Sequence, residues 1–237
     1  MFPCLSAFVL LALAIPALAD TPTPASSYKL ITPGDRFVFV MISPHPVEQD
    51  TAGSRNDENA ARIREIRRVF ARSGMYRNDG SVEPLWSVDW YAMDVKLSSD
   101  GVHLVRQGPW AFLPAVRLHD FETALDQEAV SFFADGRLLR TYQIRELVDD
   151  QDHLTRSVSH LHWKKDGNLN DERLEYTLTT LDDNQFVFDV RTGAIVSESR
   201  ARHFSRWCWW VALGMVAVGI VSWIAWRRRM GSRVVSS

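Results

Sequence analysis

The chain has 237 residues, of which 46% are hydrophobic and 24% are charged, a composition that argues against wholesale disorder. Residues 20–206 hold all 29 acidic residues and 23 of the 27 lysines and arginines, so this segment carries a net charge of −6. A mildly acidic segment offers no electrostatic basis for nucleic-acid binding. The two cysteines, Cys4 and Cys208, both lie in the hydrophobic end segments. The central region therefore has no cysteine and can form neither an internal disulfide nor a cysteine zinc site.

Residues 1–19 are typical of a cleavable export signal. An apolar run over residues 5–18 is too short for a comfortable membrane span and ends in small residues at Ala17 and Ala19. We therefore predict cleavage after Ala19, followed by a polar, proline-bearing linker over residues 20–27. No lysine or arginine precedes the apolar run, and this leaves an uncleaved N-terminal anchor as the alternative.

Residues 207–226 contain no charged side chain and predict a transmembrane helix. Twenty helical residues at about 1.5 Å each match the roughly 30 Å hydrocarbon core of a bilayer. Tryptophans at both ends of a span and arginines beyond it are the pattern of a membrane interface. The predicted interface residues are Trp207, Trp209, Trp210, Trp223, Trp226, Arg227, Arg228 and Arg229.

The export signal sets the predicted orientation, because arginines lie on both sides of the span and the positive-inside bias is slight. We expect a single-pass protein of the cell membrane, with a bacterial inner membrane as the working assignment. The domain over residues 28–200 would then be extracytoplasmic (periplasmic), and the tail over residues 227–237 cytoplasmic. The lipid bilayer is accordingly one predicted partner, contacted through residues 207–226.

The extracytoplasmic domain is predicted to be mainly β, built of antiparallel hairpins. Short alternating apolar segments flank turn sequences rich in Asp, Gly and Asn, which supply the positive φ angles that tight hairpins need. The predicted turns lie at residues 33–35, 78–80, 99–101, 134–136, 165–167 and 182–184.

The segment 186–196 (FVFDVRTGAIV) resembles the blades of β-propellers, in which a strand ending in Phe-Asp is followed by Thr-Gly and an outer strand. The resemblance rests on short motifs spread over residues 28–196. The turn aspartates, Asp35, Asp100, Asp135 and Asp183, are unequally spaced, whereas propeller repeats run at about 40–50 residues. The resemblance implies a small or incomplete propeller of at most four blades. An irregular sandwich or an open meander is the alternative.

An insertion over residues 56–72 predicts one helix. Asn56 or Asp57 could cap it, an apolar stripe begins at Ala60, and Gly74 could end it. The stripe consists of Ala60, Ile63, Ile66 and Phe70, and the opposite face carries Arg62, Arg64, Arg68 and Arg72. The arginine face is either a solvated surface or a contact for an anionic partner or lipid headgroups.

Candidate chemistry is sparse. If residues 160–162 form a strand, His160 and His162 share one face and could hold a metal ion, with Asp152 or His153 as a speculative third ligand. A polar strand face explains the same residues. The loop acids at residues 149–152 and 182–183 are expected to be solvated turn formers. The aromatic set Trp86, Trp90, Tyr91, Trp110 and Trp163 could line a pocket or form core.

The sequence therefore predicts a non-enzymatic binding or scaffold domain with no cofactor, tethered to the membrane and facing a protein partner on its outer side. The alternative is a metal-dependent extracytoplasmic hydrolase that uses His160 and His162. A sensor that signals through the helix is a third option, disfavoured because the cytoplasmic tail is too short for an output domain.

Overall fold

The computed structural model describes residues 24–52, 57–109, 121–156 and 160–201. The predicted export signal and the predicted transmembrane helix lie outside these residues. Within them, none of the helices has the length and apolar character needed to cross a membrane. The helices are α1 (Val47–Ala52), α2 (Asp57–Val69), α3 (Phe121–Leu125) and α4 (Ile144–Leu147), with a 3₁₀ turn at Gln151–His153.

Fourteen strands in the described residues confirm that the domain is mainly β and antiparallel. They are β1 (Tyr28–Ile31), β2 (Phe37–Met41), β3 (Ser73–Arg77), β4 (Trp86–Val88), β5 (Val95–Leu97), β6 (His103–Gln107), β7 (Glu128–Ala134), β8 (Arg137–Gln143), β9 (Thr155–Arg156), β10 (Leu161–His162), β11 (Lys164–Asn170), β12 (Glu175–Thr180), β13 (Gln185–Asp189) and β14 (Ala194–Ser199).

Twelve of these strands form three four-stranded sheets, each a simple meander in which consecutive strands pair. The first sheet has the order β1-β2-β3-β4, the second β5-β6-β7-β8 and the third β11-β12-β13-β14, while β9 and β10 form a separate ribbon. Helices α1 and α2 are inserted between β2 and β3. The predicted insertion over residues 56–72 therefore falls between two paired strands of the first sheet.

The first and second sheets pack face to face. Phe39 and Met41 of β2 bury their side chains in the same cluster as Leu104 of β6 and Phe133 of β7. Trp86 of β4 lies in the same cluster. Its indole Nε1 donates a 2.8 Å hydrogen bond to the carbonyl of Gly101, in the turn between β5 and β6, and so links the two sheets. The alternating side chains of a strand point to opposite faces, so β2 can also bury Val38 and Val40 on its other side.

The second and third sheets pack through a larger, aromatic interface. Phe132 of β7 contacts Tyr142, Tyr176 and Phe188, with ring centroids 5.1–6.3 Å apart. The hydroxyl of Tyr142 donates a 2.8 Å hydrogen bond to the carbonyl of Gly193, which ties the edge of the second sheet to the third. Strand β7 is therefore buried on both faces, and this explains its nearly continuous apolar sequence.

The two outer faces of this three-sheet stack are finished in different ways. Helix α2 packs Ile66 against Val38, Val40 and Tyr76 on the outer face of the first sheet. The outer face of the third sheet instead presents polar, exposed side chains such as Thr177 and Ser197. In the described residues, the core clusters join the first sheet to the second and the second to the third, and no cluster joins the third back to the first.

Five of the six predicted turns are confirmed, and their backbone angles show why the residues suit them. Asp35, Asp135 and Asp183 adopt φ angles of 56°, 50° and 61°, in the left-handed region that Asp tolerates better than most residues. Gly80 and Gly101 supply φ angles of 89° and 73° in their turns.

The predicted turn at residues 165–167 is wrong, because these residues lie inside β11. The hairpin between β11 and β12 turns after Asn170, with Leu174 at φ +54°. Gly167 is needed for close packing: a Cβ there would lie 2.1 Å from the hydroxyl of Tyr176.

The predicted helix over residues 56–72 is confirmed as α2, whose buried side chains include Ala60, Ile63 and Ile66. Gly74 does not end the helix, which stops at Val69. It lies in β3, where a Cβ would be 2.2 Å from the carbonyl oxygen of Trp86 in the neighbouring strand. The prediction of one helix outside the membrane was also too low, since short helices α1, α3 and α4 connect strands.

Candidate functional site

A cavity of about 440 Å³ opens beside the segment that carries the two candidate histidines. This volume lies within the range of small-molecule sites. Four separate stretches of chain line the cavity: residues 93–94, residues 107–109, Ala129 and residues 160–164. It thus forms where the end of β6 and the start of β11 come together.

His160 and His162, which the sequence analysis expected to share one face of a strand, both line this cavity. Leu161 and His162 form β10, and Leu161 is only 2% exposed while His162 is exposed. The alternation places the two imidazoles on the side away from the core. In the described parts of the chain, no group of three His, Cys, Asp or Glu side chains is arranged to hold a metal ion. The speculative third ligand, His153, lies instead 3.2 Å from Asp150.

Lys164 continues the same alternation and lines the same cavity. Its side chain is partly buried, and burial lowers the pKa of the Lys164 ammonium, an effect that the nearby Asp94 carboxylate opposes. Asp94 itself forms an exposed ion pair with Lys96, with 3.5 Å between Oδ1 and Nζ. Lys164 has no ion-pair or hydrogen-bond partner for its side chain among the residues that the structure describes.

The apolar wall of the cavity includes Met93, Pro109, Leu161 and Trp163. Met93 is 46% exposed and lies at the surface, whereas Leu161 and Trp163 belong to the core. The cavity therefore combines an accessible apolar surface with the side chains of His160, His162 and Lys164 and with the Asp94 carboxylate.

A second cavity of about 380 Å³ adjoins the first, since Met93, Gln107 and Pro109 line both. It is built around a fixed ion pair: Arg106 Nε donates a 2.8 Å hydrogen bond to Glu128 Oε1. The same guanidinium lies 4.7 Å from the ring centroid of Trp90. The charges of Arg106 and Glu128 thus already neutralise each other within the protein. The second cavity is therefore expected to attract a charged ligand less strongly than the first.

A buried phenol lies below the Gln107 wall. Tyr176 is fully buried, and its hydroxyl makes no hydrogen bond of normal geometry, although the Gln107 amide is close by. Burial, with the nearby Asp94 and Asp166 carboxylates, raises the pKa of Tyr176 well above its usual range. The phenol is therefore neutral at physiological pH and acts as a core residue.

The acidic loops are more structural than the sequence indicated. Asp182 is fully buried, and its carboxylate accepts hydrogen bonds of 2.8 and 3.0 Å from the backbone amides of Asp149 and Asp150. Asp149 in turn forms an ion pair with Arg200, with 2.6 Å between Asp149 Oδ1 and Arg200 Nη1. These acids join the loop after α4 to the third sheet, so the expectation that all of them are solvated is wrong for Asp182.

The candidate aromatic residues divide between core and cavity. Trp86 is buried between the first and second sheets, and Trp90 packs against Phe133 at 4.9 Å. Trp163 and Tyr91 each line one cavity, while Trp110 lies outside the described residues. The cavity residues Met93, Gln107 and Pro109 had no sequence signal, because they meet the histidines only through the packing of distant segments. Lys164 follows the alternation of His160 and His162, which the sequence analysis did not extend to it.

Comparison of the whole chain with protein-family models, curated proteins and solved structures finds no match.

Proposed function

We propose that this protein is a single-pass, membrane-anchored extracytoplasmic binding platform with a propeller-like and non-enzymatic β domain. The observation that carries the proposal is the pair of adjoining cavities on the packed three-sheet stack, with the exposed Met93 on their shared wall. A ligand-contacting surface held by packed sheets is pre-organised, which reduces the entropy lost on binding.

The propeller-like part of the proposal is supported by the form of the sheets. Each is a four-stranded antiparallel meander, and successive sheets pack face to face, as the blades of a propeller do. We propose an open series of three blades. Helix α2 at one end and the polar face of the third sheet at the other remove the need for a closed ring.

The membrane part of the proposal is supported by the sequence: an export signal over residues 1–19 and an uncharged, tryptophan-flanked stretch over residues 207–226. A cysteine-labelling experiment tests it, since the chain has only two cysteines. In a Cys208→Ser background, Ser197→Cys should react with a membrane-impermeant maleimide on intact spheroplasts. The matched variant Ser236→Cys, in the tail, should react only after the membrane is permeabilised.

Reversed labelling, or recovery of the full-length chain in the aqueous fraction without detergent, would contradict the membrane placement.

Binding of a protein partner is tested by placing a photo-crosslinking residue at Met93 in the full-length chain. We expect an adduct with an envelope protein from this position and none from Leu138, which is 57% exposed on β8 and is not among the cavity-lining residues. Equal adducts from both positions, or none from position 93, would count against a binding function for the cavities.

The hydrolase alternative keeps one observation in its favour, which is that His160, His162 and Asp94 line one cavity. Metal analysis of the purified full-length protein separates the two functions. Stoichiometric zinc, manganese or iron that is lost in a His160→Ala/His162→Ala double variant would favour the hydrolase, and a metal-free folded protein would favour the binding platform.

A further inference from the structure

The extended segment over residues 160–164, which includes β10 and the first residue of β11, carries three basic side chains at alternate positions beside the 440 Å³ cavity. His160, His162 and Lys164 recur with the period of two that places side chains on one face of an extended chain. The intervening Leu161 and Trp163 are buried in the core and hold this strand in place. The basic face is thus fixed by packing on its other side.

Lys164 is the unusual member of this row. Its neighbour Lys165 is exposed and pairs with Asp183 at 2.9 Å, and Lys96 pairs with Asp94 at 3.5 Å. The Lys164 side chain is partly buried but has no ion-pair partner in the described residues. Burial lowers the pKa of the Lys164 ammonium more than the nearby Asp94 and Asp166 carboxylates raise it. An anion supplied from outside would offset the remaining cost of burying this cation.

The rest of the cavity is apolar enough to select among anions. Met93, Pro109 and Ala129 line it beside the basic row, together with the polar Gln107 and the Asp94 carboxylate, which pairs with Lys96. The volume of about 440 Å³ accommodates an organic group attached to the anion. A small inorganic ion would leave this apolar surface uncovered. The walls therefore favour an anion that carries an apolar substituent.

We propose that this cavity binds an organic carboxylate, with the carboxylate at Lys164 and His162 and the apolar part of the ligand against Met93 and Pro109. The inference rests on the proposed binding function and names its ligand chemistry. Two sources present such a group: the C-terminus of a polypeptide and a free small-molecule carboxylate.

The test is a calorimetric titration of the purified full-length protein in detergent with N-acetylphenylalanine and, separately, with its primary amide. The two probes differ in charge but share the apolar side chain. We expect the carboxylate to bind about tenfold or more tightly than the amide, the effect of a charge-assisted hydrogen bond. Inorganic phosphate should bind more weakly than N-acetylphenylalanine, because it lacks the apolar part.

Lys164→Gln should weaken binding of the carboxylate about tenfold or more and leave binding of the amide unchanged. Lys165→Gln is the matched control, since this lysine is adjacent and does not line the cavity; it should change neither affinity. If Lys164→Gln does not fold, as judged by circular dichroism, the exposed His162→Gln variant provides the same comparison.

Equal affinity for the carboxylate and the amide, no binding of either, or an unchanged affinity in Lys164→Gln would overturn the inference. A five-residue peptide ending in Phe with a free carboxylate identifies the source: tighter binding than N-acetylphenylalanine supports a polypeptide C-terminus, and equal binding supports a small molecule. These titrations report only on the chemistry of the cavity. Loss of the cross-link at position 93 or of membrane placement would instead count against the proposed function.

Discussion

The two outer faces of the sheet stack solve the same physical problem in opposite ways. The first sheet has an apolar outer face, which is covered by Ile66 and its neighbours on α2. The third sheet has a polar outer face, so its aromatic side chains all lie on the inner side, around Phe188. The comparison teaches that an apolar outer face needs a cover, whereas a sheet whose outer face is mostly polar can end a stack without one.

The largest effect is expected at the helix-covered face. Ile66→Ala removes buried apolar volume between α2 and the first sheet, and should lower the free energy of unfolding by about 3 kcal/mol. Chemical denaturation of the full-length protein in detergent measures this. Arg64→Ala, on the exposed side of the same helix, is the control and should leave the midpoint unchanged. Equal effects of the two variants would mean that α2 is not a structural cover.

A second test concerns the polar anchor of this cover. Asp50 is 1% exposed, and it accepts hydrogen bonds from the amide of Ser27 at 2.8 Å and from Arg67 at 2.9 Å. Asp50→Asn removes the charge that Arg67 faces and should cost about 2 kcal/mol. Glu65→Gln, which breaks the exposed Glu65–Arg68 pair on the same helix, should have no measurable effect. A comparable loss in both variants would contradict the anchoring role of Asp50.

A third test addresses the inner side of the third sheet. Gly167→Ala places a methyl group against the hydroxyl of Tyr176, which is fully buried and cannot move away freely, so we expect a loss of about 1–2 kcal/mol. Tyr176→Phe alone should leave stability unchanged or raise it, because the hydroxyl makes no hydrogen bond. The double variant should recover most of the loss; no recovery would place the strain elsewhere.

The smallest effect is expected at the polar outer face. Thr177 lies on the exposed side of β12, opposite Asn168 and Val187. Thr177→Ala should change the free energy of unfolding by less than about 0.5 kcal/mol. A loss approaching that of Ile66→Ala would show that another part of the chain or a partner covers this face, and would remove the contrast between the two ends.

The hairpins were predictable because their turns carry local signals. Asp35, Asp135 and Asp183 adopt positive φ angles that few other residues tolerate, so the sequence of the turn itself indicates the backbone. The hairpin between β11 and β12 was not predictable in this way. Its left-handed residue is Leu174, which has no such tendency, and the nearby Gly167 serves packing in a strand rather than a turn.

The candidate site was only half predictable. Alternation along residues 160–164 indicated that His160 and His162 share a face, and the structure places both on one cavity. Met93 and Gln107 come from segments more than 50 residues away, and nothing in their local sequence indicates that they would meet the histidines. The partial burial of Lys164 depends on this packing too, since its neighbour Lys165 has the same charge but is exposed and pairs with Asp183.

The sequential order of the sheets has a consequence for how the domain is made. Every ladder joins strands that follow one another along the chain, so the first sheet is complete by residue 88, the second by residue 143 and the third by residue 199. Among the strands of the described residues, none must wait for a distant partner that is synthesised later, an arrangement that lowers contact order and speeds folding. A chain that emerges from its N-terminus can therefore lay down each sheet on the finished face of the one before it.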